Sequence, residues 1–217
     1  MTTETSPTGL RERKKRIVRA NLSAIALRHA LERGVAQVRV EDIAAEADVS
    51  PRTFNNYFSS KEAAIVGSAT IRAERFCELI DAQPAGQALH DALRAAALAL
   101  FEEEPDRDWI ARARLVRAEP ALFAEAAKAD VEIERRIALH IGRRAGADPA
   151  TCLAPRLAAA TVVAAIHAAV EFWLDADRGV LAQAIDQAMA QFRIADIAAG
   201  GWKDDRGDDR GKDRGDG

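Results

Sequence analysis

Asp48-Val49-Ser50-Pro51-Arg52-Thr53-Phe54-Asn55-Asn56-Tyr57-Phe58-Ser59-Ser60-Lys61 places two asparagines, a tyrosine, an arginine and a threonine between two helix-start signals. Each of those polar side chains costs roughly 1–3 kcal/mol when buried without a partner, so the segment belongs against water or a polar partner. Ser50 is set to accept from the backbone amide of Thr53, and Pro51 suits the first helical position, where no N–H is needed. A helix of about seven residues follows, with Phe54 and Phe58, joined by Val49, as its apolar anchors. Ser59 and Glu62 then have the spacing of a capping box for the next helix.

Upstream, Val40, Ile43, Ala44 and Ala47 share one face of a short helix over 40–47, with Glu41 and Asp42 in its first turn, where the helix dipole favours anions. It ends at Asp48, a residue that tolerates the left-handed conformation. Two short helices across a tight turn, packed on a longer one, make a helix-turn-helix unit. The longer helix is predicted over 10–33 and is closed by Gly34, with Ile17, Ala20, Ala24, Leu27 and Leu31 as its stripe.

Charge separates the two ends of the chain. The 217 residues carry a formal net charge of −3, yet residues 1–63 hold eleven Lys and Arg against eight Asp and Glu, which leaves −6 for the rest. Arg11, Arg13, Lys14, Lys15, Arg16 and Arg19 crowd the start. A polyanion would meet that end. A helix in the major groove reads base edges through paired donors and acceptors, and Asn matches adenine as Arg matches guanine. Arg52, Asn55 and Asn56 supply that chemistry. Ser50, Thr53, Tyr57 and Lys61 are placed for phosphates or thymine methyls, and Arg13 and Lys14 for the backbone.

Beyond residue 62 the pattern is long, Ala-, Leu- and Arg-rich and helical, with breaks at 81–86, 104–107, 119–120, 145–149 and 175–179 and no β-branched alternation. The expected organisation is a DNA-binding domain over 1–62 with an unstructured arm at 1–9, a helical domain over 63–199, and a low-complexity tail over 200–217 that includes Trp202. The helix over 150–174 is apolar almost all round. Ala164, Ala165 and Ala168 on it, with Leu181, Ile185 and Met189 on the next, are the expected dimer interface. An apolar pocket within the bundle would draw on Phe76, Phe101, Trp109, Phe123, His167 and Trp173, with Arg112, Arg114 or Arg117 available to an anionic ligand.

The chain has no apolar leader, and no run reads as a membrane span. Cys77 and Cys152 lack zinc or disulfide spacing, which points to a reducing cytoplasm. There is no glycine-rich phosphate loop, G-x-S-x-G, HExxH or His/Cys cluster, so neither an enzyme nor a cofactor is expected.

In order and spacing, RERKKRIVRANLSAIALRHALERG (11–34) and VRVEDIAAEADVSPRTFNNYFSSKEAAI (38–65) resemble the DNA-binding domain of the TetR family of bacterial transcriptional regulators. The resemblance covers residues 10–65. It implies an all-α fold, a homodimer spanning two half-sites of a palindromic operator, and a C-terminal helical domain whose small-molecule ligand alters the spacing of the reading heads. A repressor released by an apolar or amphipathic ligand is the expected function. An architectural DNA-binding protein of the same fold, with no effector, is the alternative. The sequence departs from the family pattern at Arg39, where Ser or Thr commonly caps; at His29 and Ala30, which replace a Leu-Phe pair; and at Asp48 and Asn55, which replace a glycine and an aromatic residue.

Overall fold

The computed structural model describes residues 7–103, 105–176 and 179–197, without the side chains of residues 7–10, 12, 13 and 68. The described residues form ten α-helices and no strand: α1 (Pro7–Arg33), α2 (Val40–Glu46), α3 (Pro51–Asn55), α4 (Lys61–Val66), α5 (Ser68–Asp81), α6 (Leu89–Leu100), α7 (Arg107–Ala118), α8 (Pro120–Ala145), α9 (Leu153–Ala176) and α10 (Leu181–Ala190), with a 3₁₀ turn at Val35–Gln37. Helix α1 already begins at Pro7, so the expected arm is helical from that residue on. Residues 1–6 and the tail over 198–217 lie outside the described residues.

Local chemistry fixes the N-terminal unit. Gly34 leaves α1 at φ 82, a conformation that costs glycine little. Arg39 gives α2 no side-chain cap. Asp48 takes φ 54 in the turn, and the Val49 amide donates to the Ala44 carbonyl at 2.9 Å, which closes the reversal. Ser50 caps α3 through Thr53 as expected, at 3.0 Å. For α4 the cap is Ser60, whose Oγ accepts from the Ala63 amide, and not Ser59. The helix starts one residue later than the spacing suggested, which leaves Ser59 outside it.

Helix α1 buries a different face from the one its periodicity indicated. Leu27 is inside, but Ile17 and Leu31 are 59% and 47% exposed, while Leu22, Ile25, Ala26 and Ala30 are buried together with Ser23 and His29. Two polar residues on the buried face masked the true stripe. His29 is accommodated because its Nε2 lies 2.9 Å from Glu46 Oε2 on α2. Hydrogen bonds from Arg28 first, then His29, hold the Glu46 carboxyl below its usual range.

Two apolar cores result. The first gathers α1 to α4 around Phe54 and Phe58, whose rings are 5.8 Å apart. The second gathers α5, α6, α8, α9 and α10. Leu122 of α8 is fully buried in the first core, and Ala64, Ile65 and Val66 of α4 complete it. Leu181, Ile185 and Met189, expected at a subunit interface, belong to the second core at 1%, 0% and 0% exposure. An amphipathic stripe buries against the nearest apolar surface, and here α6 and α9 of the same chain provide it. Asp196 joins the ends of this bundle by accepting from the Leu89 amide at 2.7 Å in the first turn of α6.

Helix α9 has the length and apolar composition of a membrane span. It packs against α8 and α10, burying Ala158, Ala159, Val162, Val163 and Ala169. Cys77 and Cys152 are free and buried, and burial pushes the Cys77 thiol up to about 11.

Gly67 joins α4 to α5 at close quarters. A methyl group there would sit 2.6 Å from Phe58 Cε1 and 3.1 Å from the Ala63 carbonyl oxygen. Phe58 has little room to yield, with Phe54 on one side and the Arg19 guanidinium 5.1 Å from its ring centroid. Gly67→Ala is expected to destabilise the protein by about 1–3 kcal/mol, measured as a lower urea midpoint at unchanged m-value.

Candidate nucleic-acid interface and effector cavity

Helix α3 projects from the first core with Phe54 turned inward and Arg52, Asn55 and Asn56 exposed. No hydrogen bond engages those three side chains among the described residues, which leaves their donors and acceptors available. Thr53 and Tyr57 are half-buried. The Thr53 hydroxyl shares a 2.9 Å hydrogen bond with Ser50 Oγ, so this pair shapes the start of the helix, and Tyr57 packs on the core.

Lys61 has another role than the phosphate contact expected of it. Its Nζ donates to the carbonyls of Val35, Ala36 and Val38 at 2.9, 3.1 and 3.0 Å. An ammonium has three donors, and all are committed to the 3₁₀ turn after α1. The basic run divides likewise. Lys14 is exposed, but Arg16 pairs with Glu78 of α5 at 2.9 Å and Arg19 lies over Phe58. The side chain of Arg13 is outside the described residues.

A cavity of about 490 Å³ opens between α5, α7, α8 and α9. Phe76, Phe101, Trp109, Phe123 and His167 line it as the sequence suggested, while Trp173 does not. The Trp173 ring stands 6.3 Å from that of Trp109, and its Nε1 donates to the Gly179 carbonyl at 2.9 Å. Arg112 and Arg117 reach the wall and Arg114 does not. Sequence reading missed Arg72, which sits among ordinary surface-type residues in α5. It also missed Asp130, whose Oδ1 is 3.7 Å from His167 Nε2. Burial raises the Asp130 carboxyl and the nearby His167 opposes that shift.

Val66, Val116 and Ala126 line this cavity and also pack against the first core. The wall of the cavity is therefore part of the seat of the helix-turn-helix unit. Among the described residues no group of His, Cys, Asp and Glu could hold a metal ion.

A helix-turn-helix unit seated on a hollow helical bundle is the architecture these residues define. Residues 24–64 match the model of the bacterial regulatory proteins of the TetR family, and residues 83–195 match the MftR C-terminal domain. The chain is 31% identical over 196 residues, 85% of its length and 87% of the relative's, to the HTH-type transcriptional regulator TcmR of Streptomyces glaucescens. It is 29% identical over 77% of its length, and 85% of the relative's, to a protein of Mycobacterium tuberculosis named as the mycofactocin biosynthesis transcriptional regulator MftR. A crystal structure of a TetR-family regulator from Rhodococcus sp. shares the fold, with a TM-score of 0.51 at 17% identity over 80% of this chain and 95% of that one. The chain belongs to the TetR family of bacterial transcriptional regulators, and its action is that of a DNA-binding regulator of transcription.

Lys61 is engaged by the fold and Arg52 is not. Lys61→Met is expected to remove charge-assisted hydrogen bonds and destabilise the protein by about 1.5–3 kcal/mol. Arg52→Ala should leave the melting temperature unchanged and weaken specific DNA binding by about 1–3 kcal/mol. Thermal melts and fluorescence anisotropy on the same samples check both.

Proposed function

We propose that the protein is a homodimeric repressor that holds a palindromic operator through Arg52, Asn55 and Asn56 of α3 and leaves it when a small apolar or amphipathic molecule enters the cavity. The observation that carries this reading is the double duty of Val66, Val116 and Ala126, which face the cavity and pack on the DNA-binding core. A ligand that spreads these side chains moves the base on which α3 stands. If it binds better when the reading heads are wrongly spaced, it weakens DNA binding by the same coupling energy, about 1–3 kcal/mol in such systems. Ser50 and Thr53 hold the start of the reading helix, Lys14 meets the phosphate backbone, and the protein acts in the cytoplasm, where its operator lies.

The dimer reading rests on α9. Leu153, Leu157 and Phe172 are 59%, 61% and 65% exposed, and Ala164 and Ala168 lie exposed between them, with Ala165 half-buried beside them. Such a stripe of apolar side chains along one helix suits a self-complementary interface about a two-fold axis. That axis would set the two α3 helices about one turn of duplex apart.

Selection of bound sequences from random DNA should return a palindrome with half-site centres roughly 10 base pairs apart or a multiple of it. Unrelated duplexes bound equally, with affinity set by salt alone, would identify an architectural binder instead. Asn55→Ala and Asn56→Ala should each cost about 1–3 kcal/mol of specific affinity, read by anisotropy on the selected site. Ala168→Arg and Phe172→Glu should give folded monomers by analytical ultracentrifugation, with an unchanged circular dichroism spectrum. Dimers in both variants would move the interface off α9.

A further inference from the structure

We infer that the cavity takes an amphipathic organic acid, its anionic head held by Arg72 and Arg112 and its apolar body lying along α8 and α9. This inference rests on the reading of the cavity as the effector site and adds the chemistry of what enters it. Arg72 on α5 and Arg112 on α7 both line the cavity and are half-buried. The Arg72 guanidinium stands 5.2 Å from the Phe101 ring centroid and 5.1 Å from that of Trp109, so two aromatic faces hold its plane. Arg112 Nε is buried with no hydrogen-bond partner. An unmet donor on a charged group is costly inside a protein.

The charge of Arg112 also bears on Arg72. Arg72 is pushed down to about 10, first by burial and then by the Arg112 charge, with Asp106 opposing. Burial lowers Arg112 as well, against Asp108 and Asp106. Asp106 is partly committed elsewhere, since its carboxylate caps α7 by accepting from the Trp109 amide at 2.7 Å, and neither Asp106 nor Asp108 lines the cavity. The third cation of the wall is satisfied, because Arg117 binds Glu171 at 3.2 Å and Asp175 at 2.6 Å. Asp130 is the remaining acid of the wall, and the charge acting on it is His167 rather than either arginine. Arg72 and Arg112 therefore form a cationic corner of the wall with no hydrogen bond or ion pair among the described residues. Ile133, Ile137, Val163, Ile166 and Val170 line the rest.

An anion entering that corner meets two guanidinium groups and offsets the charge that Arg112 places on Arg72. A cationic ligand would add to the repulsion. A neutral one would leave the corner as costly as before. The apolar wall needs a hydrocarbon body, and a free inorganic anion has none.

Calorimetric titration of the full-length protein with decanoate, decanol and decyltrimethylammonium, each below its micellar concentration, tests the assignment. Decanoate should bind at least about tenfold more tightly than decanol, the value of a charge-assisted hydrogen bond, and the ammonium most weakly. Arg112→Gln and Arg72→Gln should abolish the preference of acid over alcohol while keeping decanol binding, which also shows that the variants are folded. Equal binding of all three probes, or an acid preference that survives both substitutions, overturns the assignment and leaves the effector cavity standing. Failure of every probe to bind overturns both. Acid-selective binding that leaves the complex with the selected operator intact supports the headgroup assignment and removes the effector reading.

Discussion

One leucine connects the two halves of the molecule. Leu122 belongs by sequence to the first turn of α8, yet it is fully buried in the core formed by α1 to α4. Leu115, Val116 and Ala126 pack around the same core from α7 and α8. Removing such a side chain leaves a cavity as well as losing apolar contact, so the DNA-binding unit and the bundle cannot separate without a large cost. The unit that reads DNA is thus a head held by its body, with Arg16 and Glu78 adding an ion pair on the other side. Close-packed interiors transmit displacement because they have little free volume to absorb it.

The same packing gives the cavity its position. It lies where α5, α7, α8 and α9 diverge beneath the head, and part of its wall is shared with the head's core. A site placed in the middle of a bundle would have to act through several layers of side chains. Here Val66, Val116 and Ala126 belong at once to the cavity wall and to the core that holds Phe58.

Local chemistry was readable wherever one residue decided one conformation. The Ser50 cap, Pro51, the left-handed Asp48 and the inward Phe54 and Phe58 each follow from properties of a single residue type. Five of the six cavity residues named from sequence lie on its wall, four of them large aromatics. The errors arose where side-chain polarity did not follow burial. On α1, Ser23 and His29 point inward while Ile17 and Leu31 face out, so its apolar residues alone did not mark the buried face. The clean stripe of α10 told that it would be covered but not by which chain. Lys61 and Arg72 were illegible for a related reason: a long cationic side chain is neutral about its destination until the carbonyls or rings within its reach are known.

The Asp196 carboxylate closes the first turn of α6 from 107 positions further along the chain. During synthesis, domains assemble from the N-terminal end as the chain emerges. The core of the head is completed only by Leu122 of α8, and the first turn of α6 finds its carboxylate only at residue 196, so each half of the molecule depends on a contact made by a much later stretch of the chain.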